Sequence, residues 1–320
     1  MALTLTEAAK LSQNTLQRGV LETFIQFSPV LDRLPFEPIE GNAFAYNEEG
    51  ALPGVAFRAV NAAYTESTGT VNLKTESLVI LGGEADVDKF IVQTRGNYND
   101  QRAVQTSLKT KALSYQFQDS FINGDTGSDV NSFDGLKKRL TGGQVLTLAV
   151  NGAPIVGNGT TDIDTFFDAL DQLMTLVPFA DPSNSAFYVN RTVRMRIASA
   201  LRRKLIYTET RQNFGNTFKT VITYAGIPIL EIGTNGAGTE ILPFTETVGS
   251  SSLTSSIYLV RFGSSPTDQG VTGLTNGGVM VRDLGEQQVK PVYRTRIEFY
   301  CGLGVFYGKA AARLTGVLNG

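Results

Sequence analysis

Residues 99–123 read NDQRAVQTSLKTKALSYQFQDSFIN, and this stretch decides the fold. Asn99 is a helix cap, and Val104, Leu108, Ala112 and Tyr115 follow at near-helical spacing. A second row, Leu113, Phe117 and Phe121, repeats at i, i+4. The predicted helix is about 37 Å long at about 1.5 Å per residue. Asn123-Gly124 ends it. Upstream, Val87, Phe90 and Ile91 predict one short helical turn. Further upstream, residues 40–83 read as extended chain. Phe44 and Tyr46 alternate with small or polar neighbours, Asn47–Gly54 is turn chemistry, Val55 to Tyr64 is β-like, and Thr70–Leu81 is a strand. So long a stretch with so few apolar residues at its centre builds no core of its own. It must either lie on something or reach out to something.

Downstream of the helix, Val145–Val156 predicts a hairpin turning at Asn151-Gly152. A helix follows with Ile163, Phe166, Phe167, Leu170, Leu173, Met174 and Val177 on one side. Asp162 and Asp164 favour its N-terminal dipole, and Pro178 stops it. Phe187–Val189 is a short strand. Asn190 caps a helix carrying Val193, Ile197, Leu201 and Leu205. Phe218–Ile232 is a hairpin around Gly226. From Tyr293 to Val305 every second residue (Tyr293, Thr295, Ile297, Phe299, Cys301, Leu303, Val305) faces a core. At the other end, Thr4 and Glu7 form a capping box, followed by a stripe of Leu16, Val20, Leu21 and Phe24 that Pro29, Pro35 and Pro38 cut short. Helices and strands are segregated, so the class is α+β.

Composition excludes much chemistry. The chain has 320 residues, 42% hydrophobic and only 18% charged, with 33 Gly, a net charge of −2, no His, no Trp and one Cys. No His means no Ser-His-Asp triad, no Cys-His pair and no imidazole metal ligand. One Cys excludes an intrachain disulfide and four-ligand Cys/His zinc sites. The N-terminus lacks the basic and apolar regions of a secretory signal, and no apolar run approaches membrane-spanning length. The expectation is a soluble chain without cofactor, not a dedicated nucleic-acid binder.

Local motifs carry little catalysis. Gly304–Gly308-Lys309-Ala310 has three residues between its glycines and Ala after Lys, which is not a phosphate loop. Asp125–Asp134 lacks calcium-loop spacing and reads as a helix exit. Cys301 lies on the apolar side of its strand, without a base to activate it. A carboxylate-dependent hydrolase is left as a minor alternative. The one basic concentration is the helix from Asn190, with Arg191, Arg194, Arg196, Arg202, Arg203 and Lys204 and no acid. It offers a contact face for nucleic acid or for acids of another subunit.

Several strings, taken in order, resemble the major capsid proteins of tailed bacteriophages, which share the Hong Kong 97 fold. Glu7–Leu11 and Gly19–Glu22 resemble the family's N-terminal arm, and Glu40–Asn47 the entry to its extended E-loop. The long helix resembles its spine helix. Phe187–Asn190 and Gly226–Ile229 resemble its central A domain, and Phe299–Leu303 the last strand of its peripheral P domain. The resemblance implies an N-terminal arm at 1–39, an E-loop at 40–83, a P domain with spine helix at 84–140, an A domain at about 141–280, and P-domain return strands at 281–320. It implies a non-enzymatic protein that assembles in the host cytoplasm, in rings of five and six, into an icosahedral virion shell around double-stranded DNA. Val55, Phe57, Val60 and Tyr64 of the E-loop would be buried against a neighbouring subunit. About forty residues precede the E-loop, so scaffold and portal are expected as separate proteins. An encapsulin-like compartment around a cargo enzyme is the alternative on the same fold, and genomic neighbours separate the two.

Overall fold

The computed structural model describes residues 28–95, 101–157, 160–204, 208–214 and 217–319. The capping box at Thr4 and Glu7, the stripe from Leu16 to Phe24, the Asn99 cap and Leu205 lie outside them. In chain order the elements begin with β1 (Phe36–Pro38), β2 (Ala43–Glu49), β3 (Val71–Ser77), β4 (Val79–Asp88), α1 (Lys89–Arg95) and α2 (Gln101–Asn123). Next come α3 (Leu136–Arg139), β5 (Val145–Thr147), β6 (Ala153–Pro154), α4 (Thr160–Leu176), β7 (Ser185–Val189) and α5 (Arg191–Arg203). The remaining strands are β8 (Thr208–Phe214), β9 (Thr217–Tyr224), β10 (Ile227–Glu231), β11 (Glu246–Val248), β12 (Ser251–Arg261), β13 (Val271–Glu286), β14 (Val292–Val305) and β15 (Ala311–Leu318).

A four-stranded sheet runs β1-β13-β14-β4, and a nine-stranded sheet has the path β5-β15-β12-β7-β10-β9-β8 with β11 and β6 beside it. The return segment therefore differs from the sequence expectation. β13 begins at Val271 and already belongs to the four-stranded sheet, while β15 closes the chain inside the nine-stranded one. The long β13–β14 pairing carries the chain out along one sheet, and the turn after Val305 hands it back to the other.

One core lies where α2 meets the four-stranded sheet and one face of the larger sheet. Phe36, Phe117 and Phe299 meet there with ring centroids 5.5–6.1 Å apart. The alternation of β14 is as expected from Thr295 on: Thr295, Ile297, Phe299, Cys301, Leu303 and Val305 are buried, and Arg294, Arg296, Glu298 and Tyr300 are only half-buried, but Tyr293, expected on the core side, is also only half-buried. The helix α2 ends at Asn123 because the chain must pass very close to itself there. A Cβ on Gly124 would sit 2.3 Å from the Phe133 carbonyl oxygen, so only glycine fits.

Of the two predicted rows on α2, only Leu113, Phe117 and Phe121 are buried. Leu108 and Ala112 face solvent, and Thr106, Thr110 and Ser114 take the inner positions instead. These hydroxyls satisfy themselves on their own helix: Thr106 Oγ1 donates to Arg102 O and Thr110 Oγ1 to Thr106 O, both at 2.8 Å. That internal pairing makes their burial affordable. Val87 also departs from expectation. It belongs to β4, paired with Tyr293, and α1 starts only at Lys89, its Phe90 amide bonded to Asp88 Oδ1 at 2.8 Å.

The second core lies on the opposite face of the nine-stranded sheet, under α4 and α5. Ile163, Phe166, Phe167, Leu170, Leu173 and Val177 of the α4 region and Val193, Ile197 and Leu201 of α5 pack on Phe187, Val189, Ile229 and Leu259. Phe167 stacks on Tyr224 with centroids 5.5 Å apart and planes at 3°. Phe167→Ala is expected to cost about 3–5 kcal/mol in a chemical melt. A cost below about 1 kcal/mol would mean that the ring is not core.

The hairpin at Gly226 forms as predicted: Tyr224 pairs Ile227, and Ala225 (φ 49°) and Gly226 (φ 82°) make the two positive-φ residues of its turn. The one predicted at Asn151-Gly152 does not form. β5 and β6 each pair in parallel with β15. Only Gly152 has positive φ, so a type I′ turn is absent. The free edge of β15 gives both short segments a better partner than each other.

Candidate assembly surface

β2 and β3 pair antiparallel in their own two-stranded sheet, from Ala43↔Ser77 to Glu49↔Val71. Beyond them residues 50–70 run out and back without strand pairing, which corrects the β-like reading of Val55–Tyr64. The reason is the spacing of Gly and Pro: Gly50, Pro53, Gly54 and Gly69 break the ladder. A few bonds keep the two legs together, among them Thr70 N to Ala51 O at 2.9 Å and Ser67 Oγ to Gly54 O at 2.9 Å. The tip turns at Val60 and Asn61, where Asn61 takes φ 68°. Arg58 lies over the Tyr64 ring at 5.1 Å. From Ala43 to the tip the arm reaches up to about 55 Å at about 3.3 Å per residue.

All four E-loop residues singled out in the sequence are on this arm. Val55 is 99% exposed, Phe57 108%, Val60 90% and Tyr64 68%. Leu52, Val71 and Leu73 add further exposed apolar surface. Contiguous apolar exposure of this kind marks an interaction site.

The base of the arm is as firmly held as its tip is bare. Tyr46 Oη donates to Val305 O at 3.0 Å, and its ring meets Phe306 edge-on at 4.9 Å. Phe44 lies 5.9 Å from the same ring, and Ile39, Leu78 and Leu274 close the cluster. Burial, and next the Glu76 carboxylate, push the Tyr46 phenol well above its ordinary range. On the other strand Glu76 accepts both guanidinium nitrogens of Arg139, at 2.5 and 2.7 Å, with both side chains 17% exposed. This fork ties β3 to α3. Sequence reading missed it, because the two partners lie 63 residues apart in the chain.

The basic helix is capped as expected, Asn190 Oδ1 accepting from Thr192 N at 2.7 Å. Its arginines divide. Arg194 reaches Glu231 at 3.3 Å, whereas Arg191, Arg202 and Arg203 are exposed. The acidic loop after α2 is held internally: Lys138 Nζ lies 2.7 Å from Asp125 and 2.9 Å from Asp134. Partial burial pushes Asp134 upward, but Lys138 and the Thr126 amide and hydroxyl outweigh it and hold the carboxyl at about 2. Its stabilising contribution is full above the ordinary value of 3.8 and is lost as pH falls toward 2. The gap in melting temperature between wild type and Lys138→Met is therefore expected to shrink between pH 5 and pH 2. A gap that stays constant over that range would contradict the pairing.

Cys301 is buried, and burial pushes its thiol up to about 12. The Gly304–Ala310 segment runs from β14 through a turn into β15 and opens no helix. Among the described residues no cluster of three or more His, Cys, Asp or Glu is arranged to hold a metal ion, and no helix is long and apolar enough to cross a membrane.

Comparison with known proteins agrees with this geometry. Residues 12–166 match the family of major capsid protein GP7. No curated protein matches the chain. An encapsulin complex from Synechococcus elongatus PCC 7942 is similar in structure over 100% of this chain and 97% of its own, at 20% identity and a TM-score of 0.65. The capsid of an empty GTA particle is similar over 91% and 90%, at 16% identity and TM-score 0.60. A Mycobacterium phage Bobi structure is similar over 90% and 89%, at 13% identity and TM-score 0.59. The chain has the Hong Kong 97 fold and is a capsid-like protein of that class. Its function is that of a major capsid protein, one that assembles with its own copies into a shell.

Proposed function

We propose that the shell is the icosahedral head of a tailed phage, enclosing double-stranded DNA without reading its sequence, and that the chain acts without catalysis. In this reading a scaffold and a portal are separate proteins, and assembly takes place in the host cytoplasm. The observation that carries it is the arm of residues 43–77: apolar at the tip, anchored at the base, and without a core of its own. Val55, Phe57, Val60 and Tyr64 are its subunit-contact residues. The match to a major capsid family over residues 12–166 favours a phage head. Similarity to an encapsulin along the whole chain is the observation behind the second reading, a compartment around a cargo protein.

Sedimentation at micromolar concentration, with and without co-expressed scaffold, should give particles far larger than a monomer. Their absorbance ratio and contents then separate nucleic acid from an enclosed protein. A chain that stays monomeric under all these conditions would count against shell formation.

A further inference from the structure

The helices α4 and α5 cover the same face of the nine-stranded sheet, yet their charges are fully segregated. The α4 residues Thr160–Leu176 contain four acids, Asp162, Asp164, Asp168 and Asp171, and no base. Residues 191–204 contain six bases and no acid. In a chain with 18% charged residues and a net charge of −2, such separation is concentrated in these two elements.

The exposed side of α4 carries Asp164, Asp168, Asp171, Gln172 and Thr175, a stripe about 16 Å long by helical rise. The exposed side of α5 carries Arg191, Met195, Arg196, Arg202 and Arg203, a stripe about 18 Å long by the same rise. Among the described residues Lys204 of the basic helix meets Asp164 of the acidic one within the subunit. Asp171 accepts the Tyr224 hydroxyl at 2.7 Å. Arg191, Arg196, Arg203 and Asp168 form no ion pair among the described residues. Arg and Met are enriched at interface centres, and Met195 sits in the middle of the basic stripe, 54% exposed.

We propose that the basic stripe of α5 docks on the acidic stripe of α4 in a second copy of this chain. The inference rests on the shell reading for its setting and names a further contact within it. Matched length and opposite sign make the two surfaces complementary, and opposed charges fix the register of copies that share one sequence. A polyanion such as packaged DNA fits the surface less well, because the acidic stripe lies on the same layer as the basic one.

The test uses the full chain with three variants. Arg191→Glu/Arg196→Glu/Arg203→Glu reverses one stripe, Asp164→Lys/Asp168→Lys the other, and the third variant combines all five. Unchanged thermal melts establish that each variant is folded. Where one melt drops, Arg196→Gln and Asp168→Asn replace the reversals, and each is expected to lower assembly about threefold. Each single-stripe reversal should lower the assembled fraction at low salt at least tenfold, and the five-fold variant should recover most of it. High salt should weaken wild-type association in parallel. Normal assembly of both single-stripe variants, or no recovery in the combined one, overturns the docking. So does a basic-stripe variant that builds normal shells with less retained nucleic acid, which would make DNA the occupant. Salt-dependent small oligomers that follow the swap, without shells, would sustain the docking while refuting the shell reading. Shells indifferent to every swap would do the reverse.

Discussion

Replacing residues 51–69 with a short Gly-Ser turn is expected to abolish shells while leaving the thermal transition of the subunit nearly unchanged. The segment contributes almost nothing to either core: Leu52, Val55, Phe57, Val60 and Tyr64 are all exposed, and its bonds run between its own two legs. A two-stranded excursion of this kind is marginal in water by itself. In a shell its apolar tip is covered by another copy, and stable interfaces between subunits commonly bury about 2,000 Å² or more. The replacement removes that surface without opening a cavity. Normal shells from the shortened chain, seen by sedimentation and electron microscopy, would show that the arm does not clasp a neighbour. A collapse of the melt would show instead that residues 51–69 belong to the core.

Arg139→Ala should cost about 3 kcal/mol of stability. Glu76 would then be left mostly buried without its guanidinium partner, and losing one member of a buried pair is far costlier than losing both. Replacing both together, Glu76→Met with Arg139→Met, should recover most of the loss in a urea melt. Assembly should not recover in step, because the fork also sets the direction in which β3 leaves α3. A double variant no more stable than Arg139→Ala would contradict this account of the pair. Full assembly by that variant would show that the aromatic contacts of Tyr46 and Phe306 suffice to aim the arm.

The elements legible in the sequence are those whose burial follows a local period. The alternation of Thr295 to Val305, the row from Ile163 to Leu173, and the Asn190 cap all stand in the structure as read. Three kinds of feature were not legible. One is polar burial: Thr254, Ser255 and Ser256 are fully buried in β12 at the centre of the larger sheet. Their hydroxyls bond Glu246 and Leu242, so hydropathy gives no signal for this half of the strand, unlike the apolar run Ile257–Val260 that follows. The inner row of α2 is hidden in the same way behind Thr106, Thr110 and Ser114. The second is competition for an edge, which drew β5 and β6 to β15 rather than into a hairpin. The third is distance along the chain, which separates Glu76 from Arg139 and Tyr46 from Val305. For the assembly surface, the apolar residues of the arm were evident, but not what anchors its base.

The single cysteine makes the molecule easy to instrument. With its thiol pushed up to about 12 and its side chain buried, Cys301 stays in the unreactive thiol form at neutral pH and is shielded from reagents. A fluorophore or spin label aimed at a new thiol therefore meets almost no background from the native one. Val60→Cys places that thiol at the tip of the arm, where the side chain is 90% exposed in the isolated subunit. The same label would report, in a single stopped-flow trace, the moment at which the tip passes from water into contact with another copy.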